Sequence, residues 1–116
     1  MNLKNYLLEY VSSGRGKKHT PVEPDTALKV GEIVRIKDEE WFDSLEKDDS
    51  GIMYINYPET VVLIPSAIRE YSGCTVEISK RQITEGGLML YHIKSFNTND
   101  KRIKSFVVTN DMLEYI

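Results

Sequence analysis

Oily and wet side chains alternate most plainly from Leu28 to Lys37, LKVGEIVRIK. After the turn-capable Gly31, residues Ile33, Arg35 and Lys37 interleave with Val34 and Ile36, and a period of two predicts a strand with one buried face. Downstream the chain breaks into short predicted strands separated by polar turns. Gly51 opens IMYINY, which Pro58 closes, and TVVLIP extends the sheet as far as Pro65. SAIREYSG reads as a short helical turn, with Ser66 as cap, Ile68 and Tyr71 inward, and Gly73 as the left-handed stop. CTVEISKRQI alternates with Cys74, Val76 and Ile78 on one face, which predicts a buried, structural thiol. TEGG signals a hairpin into LMLYHIKSF. NTNDKR is a further turn, IKSFVVT the last full strand, and NDMLEYI brings Met112, Leu113 and Tyr115 to close the bottom of the sheet. Five or six short strands with tight turns and one helical turn predict a mainly β chain curled into a small barrel, which removes exposed edges.

The first part of the chain follows other rules. Leu3, Leu7, Leu8 and Val11, with Tyr6 and Tyr10 beside them, recur at helical spacing. They predict an amphipathic helix over 1–13, capped by Asn2 and stopped by Ser12, Ser13 and Gly14. A helix of about ten residues is marginal alone in water, so its apolar stripe must dock on something. Residues 14–27 (GRGKKHTPVEPDTA) have no period and are rich in Gly, Pro and charge, the composition of a flexible linker. The β body then runs over 28–116.

Composition narrows the function classes. The chain has 116 residues, 41% hydrophobic and 28% charged, as an ordinary folded domain does. The net charge of −3 opposes general nucleic-acid binding by the whole molecule. A single cysteine excludes an intrachain disulfide and a thiolate zinc cluster. No apolar run has the length of a bilayer span, and the N-terminus lacks the layout of a secretory signal. These features predict a reducing, cytoplasmic setting and no membrane partner.

The order VGEIVRIKDEEWF, AIREYSGCTVEI, YHIK and FVVTNDMLEYI resembles small, uncharacterised SH3-like β-barrel proteins of bacteriophages and gut Bacteroides-type genomes. The matching positions are Val30, Gly31, Ile33, Val34, Ile36 and Trp41; Ile68, Tyr71, Gly73 and Ile78; Tyr91 and Ile93; and Phe106, Met112 and Leu113. Ile68 stands where the family usually has Met and Phe106 near its usual Trp, while the stretch from Tyr54 to Pro65 is long for it. MNLKNYLLEY is similar to short N-terminal helices on otherwise unrelated proteins of large tailed phages. That likeness implies an assembly or packaging address.

No residues combine into a catalytic signature. Cys74 sits in strand phase without an adjacent base, and His19 and His92 give neither metal-ligand spacing nor a triad order. Gly86-Gly87 does not lead into a helix as a phosphate loop does. The acidic stretch Asp38–Asp49 carries seven carboxylates, yet lacks the alternating ligands, mid-loop Gly and terminal Glu of a calcium loop. We therefore expect no catalytic, metal or cofactor site and a non-enzymatic module that binds a protein partner. Its expected contacts are the loop aromatics Trp41 and Phe42, with Tyr54 and Tyr57 beside them, because such rings offer large area and few rotamers to freeze. Two alternatives remain at this level. Arg15, Lys17 and Lys18 form a candidate anion-binding cluster, which with Lys80, Arg81, Lys94, Lys101, Arg102 and Lys104 makes a strip for nucleic acid. Otherwise the N-terminal helix is the working part and the β body its cargo.

Overall fold

A computed structural model describes residues 19–96 and 100–116, so the predicted helix over 1–13 lies outside the described residues. The chain is mainly β. Eight short strands are arranged in two sheets: β1 (Ile33–Ile36), β2 (Glu46–Lys47), β3 (Met53–Asn56), β4 (Val61–Ile64), β5 (Thr75–Ile83), β6 (Met89–Ser95), β7 (Val107–Val108) and β8 (Leu113–Glu114). The larger sheet has the order β7-β6-β5-β1-β8 and the smaller β2-β3-β4, all pairs antiparallel. No strand pairing joins the two sheets among the described residues.

The strand count exceeds the five or six expected because β2, β7 and β8 have two residues each, too few to alternate visibly. In β1 the alternation holds, with Val34 and Ile36 fully buried and Ile33 and Arg35 half-buried. Val76 and Ile78 of β5 and Tyr91 and Ile93 of β6 bury their side chains on the same face. Phe42, Ile64, Ile68, Val108, Met112 and Leu113 complete the core. Each such aliphatic or aromatic side chain withdrawn from water contributes about 1.5–3 kcal/mol before conformational entropy is subtracted.

Four local expectations change. The acidic stretch is not a plain loop: Asp38 caps a short helix, α1 (Glu39–Asp43), its carboxylate accepting from Trp41 N–H at 3.2 Å. The helical turn over Ser66–Tyr71 is 3₁₀, and Pro65, not Ser66, stands at its cap position with no side-chain cap bond. Ile68 and Tyr71 do point inward, and Gly73 does take a left-handed φ of 79°. Residues 103–105, read as the start of a strand, instead complete a 3₁₀ turn over Lys101–Ser105 capped by Asp100. The spacing of three between buried Ile103 and Phe106 is a helical interval, and only Val107–Val108 continue as strand. Finally, Cys74 is exposed: it precedes β5, which begins at Thr75, and its N–H closes the preceding turn on Tyr71 O at 3.0 Å.

The segment expected to be a flexible linker is fastened down over 19–27. Pro21 bridges to Glu114, Val22 N–H donates to Leu113 O at 3.1 Å, and Tyr115 N–H donates to Thr20 O at 2.7 Å. Val22 and Leu28 are core residues, 2% and 0% exposed. Asn110, itself buried, directs its Nδ2 at the carbonyls of Glu23 (2.7 Å) and Thr26 (2.6 Å), with Pro24 O at 3.3 Å. The phenol of Tyr91 donates to Thr26 O and accepts from Leu28 N–H. The arm thus adds an extended segment to the outer edge of β8.

Candidate functional site

The four aromatic residues expected to form one contact surface go to three places. Phe42 is fully buried beneath α1 and offers no ring to a partner. With Asp38 as cap, the helix directs Phe42 into the core, and the neighbouring Trp41, one position earlier, is left half-buried at its rim. The two rings meet edge to face, centroids 5.0 Å apart. Tyr54 lies on the outer face of the small sheet, opposite Glu46 on one side and Leu63 on the other. Tyr57 ends the β3 ladder, and its hydroxyl reaches across to the residues that lead into β8.

Trp41 and Tyr57 belong to one cluster, joined by residues that a linear reading did not single out. Tyr57 Oη lies 2.7 Å from Asp111 Oδ2 and 2.8 Å from Thr109 Oγ1. The phenol has one proton and gives it to the carboxylate, so the buried Thr109 hydroxyl is the donor in the second bond. Burial pushes the Tyr57 phenol well above its ordinary value, and Asp111 adds to this while the Thr109 bond opposes it. Lys37, just past β1, places its Nζ 4.7 Å from the centre of the Trp41 ring, a cation–π contact. Partial burial lowers the pKa of Lys37, against the raising influence of Asp111 and Asp38. The row Trp41–Lys37–Asp111–Tyr57 therefore runs from α1, over the end of β1, to the β3–β4 hairpin. Lys37 was read only as one more outward position of β1, and Asp111 only as part of the closing segment. Their meeting depends on long-range packing that leaves no spacing signature.

The basic residues do not form one uninterrupted strip. Lys94 pairs with Glu77 at 3.7 Å, Arg102 with Asp100 at 3.1 Å, and Arg81 donates to Leu28 O at 3.0 Å. Lys80 and Lys94 share the outer face of β5–β6 with His92, whereas Lys101 and Lys104 stand on the 3₁₀ turn after β6. Arg15, Lys17 and Lys18 lie outside the described residues. In the acidic stretch, Asp43 and Glu39 face Arg69 at 3.0 and 3.5 Å, and Asp48 caps the turn into β3 by accepting from Ser50 and Ile52 N–H. Among the described residues no group of three or more His, Cys, Asp or Glu is placed to hold a metal ion, and no helix is long and apolar enough to cross a membrane. No family model, curated protein or solved structure matches this chain.

Proposed function

We propose that this chain is a non-enzymatic interaction module, an SH3-like β scaffold of phage or prophage origin, that binds a protein partner at the Trp41–Tyr57 cluster. One observation carries the reading: the Trp41 ring rests on the core on one side, bears the Lys37 ammonium on another, and remains half-exposed. A ring already immobilised by its surroundings loses little entropy when a partner covers it, which is the usual character of a binding hot spot. Lys37 lies over the ring, and Asp111 acts on Lys37 and bonds Tyr57, so a complementary segment brings an apolar side chain together with hydrogen-bonding groups rather than a wholly apolar surface.

The test is affinity purification from the native host with the wild type and with Trp41→Ala, followed by direct titration of the captured protein. Loss of the central ring is expected to weaken binding by at least about tenfold, as truncation of a hot-spot aromatic does. Unchanged affinity in a folded Trp41→Ala protein would overturn the assignment. The nucleic-acid alternative predicts steeply salt-dependent binding of DNA or RNA instead.

A further inference from the structure

The outer edge of β4, Val61–Ile64, has no strand beside it among the described residues. Tyr57 and Thr60 exchange both backbone hydrogen bonds at the hairpin end, 2.8 and 3.2 Å. Antiparallel pairs alternate, so Ile55–Val62 and Met53–Ile64 are also bonded pairs, and the N–H and C=O groups of Val61 and Leu63 turn away from β3. Among the described residues nothing takes those four groups. The side chains of Val61 and Leu63 are 51% and 60% exposed. The strand, VVLI, contains no charge, no proline and no bulge, the usual guards of an open edge.

We infer that this edge pairs with the same edge of a second copy, antiparallel about a two-fold axis through Val62, to join two three-stranded sheets into one of six. The register follows from the groups available. Val61 faces Leu63 of the second copy and Leu63 faces its Val61, each pair exchanging two hydrogen bonds, while the two Val62 side chains meet at the axis. All four outward-turned groups of each strand are then satisfied. On the outer face Leu63, already beside Tyr54, gains Val61 of the second copy as its other neighbour. Glu59 falls opposite Pro65 of the second copy, so no like charges meet, and the missing N–H of Pro65 ends the ladder there. The N-terminal segment is a poor occupant by comparison, because Leu3, Leu7, Leu8 and Val11 recur at helical spacing and not at the period of two that an added strand needs. Such an interface is self-complementary and small, which makes the dimer weak and concentration-dependent. Its pairing residues Val61, Val62 and Leu63 adjoin the Trp41–Tyr57 cluster at Thr60 but share no residue with it, so Leu63→Lys and Trp41→Ala test the two assignments independently.

Light scattering on the full chain over a concentration series is expected to show mass rising from 13.4 kDa towards twice that value. Leu63→Pro removes a donor that faces only the second copy, and Leu63→Lys places a charge on the edge. Both should raise the dimer dissociation constant by more than about tenfold, with dichroism unchanged for at least the lysine variant. In a Cys74→Ser background, Val62→Cys should form a disulfide-linked dimer on mild oxidation, since opposed residues in a non-bonded antiparallel pair lie close together. A one-chain mass at every concentration would overturn the inference. So would a dimer that survives folded Leu63→Lys, or one abolished by Leu7→Asp in the full chain, which would assign association to the N-terminal segment.

Discussion

The β8 edge of the larger sheet and the β4 edge of the smaller end in opposite ways. At β8 the larger sheet is sealed: Thr20–Val22 lie along it, Pro21 presents its N–H-less nitrogen within the added segment, and Asn110 holds the arm by three carbonyls. On the same edge Arg35 and Glu114 form an ion pair across β1 and β8. At β4 the smaller sheet stops with backbone groups and aliphatic side chains facing water. Backbone polarity is the same at both edges, so the difference is whether the chain itself supplies the covering strand. An edge covered in cis contributes to folding; an edge left open is available to a partner.

The strongest way to break this contrast is to undo the seal. Asn110→Asp keeps the shape of the side chain but replaces a donor amide by a carboxylate facing the carbonyls of Glu23, Pro24 and Thr26. The buried site then loses its donor and gains an unpaired charge, for an expected cost of about 3 kcal/mol or more. Urea unfolding monitors this, and hydrogen exchange at the Val22 and Tyr115 amides should accelerate more than at β5 or β6. Equal acceleration everywhere would mean that the arm is not a separable seal.

Much of this architecture can be read from residue order, and the unread parts share a cause. Alternation located β1 and β5, and Gly, Pro and hairpin signals bounded β3, β4 and β6; their inward residues Val34, Ile36, Ile64, Val76, Ile78, Tyr91 and Ile93 pack on one core. The arm was misread because an extended segment held by backbone bonds and one remote Asn needs no hydrophobic period; only Val22 and Leu28 hint at it. Phe42 was placed outside because a capped helix of five residues has too few turns to show which aromatic faces inward. Two residues of the candidate site were legible, Trp41 as a loop aromatic and Tyr57 as its neighbour at the end of a predicted strand. Lys37, Thr109 and Asp111 were not, since Tyr57 and Asp111 are brought together only by the folded chain.

A second, smaller perturbation addresses the cluster between the sheets. Tyr57→Phe removes the bonds to Asp111 and Thr109 and is expected to destabilise by about 2 kcal/mol near neutral pH. The folded-state pKa of Tyr57 lies above its unfolded value of 10.0, so folding favours the protonated phenol. Its contribution is therefore present below pH 10 and lost as pH rises beyond it. The stability gap between wild type and Tyr57→Phe should narrow above pH 10, as chemical denaturation at a series of pH values would reveal. A constant gap would show that the phenol's proton is not held by the fold.

The smallest effect sharpens the comparison where the two sheets touch at their hairpins. Gly86, at the β5–β6 tip, stands so close to Glu59 that an added Cβ would lie 2.4 Å from Glu59 Cβ and 2.6 Å from its Cγ. Its near neighbour Gly87 has φ of 96° but open space around it, so the two glycines are required for different reasons: room at Gly86, backbone conformation at Gly87. Gly86→Ala should cost about 1 kcal/mol through the forced shift of one hairpin against the other. Glu59→Gly removes both clashing carbons, so the double variant should be more stable than the two single costs added together predict. Because Glu59 immediately precedes the open edge, Gly86→Ala should also disturb the β4 edge more than the β8 seal, with faster exchange at the Thr60 amide than at Val22. If both amides respond alike, the hairpin contact does not separate the two edges, and they unfold as one unit.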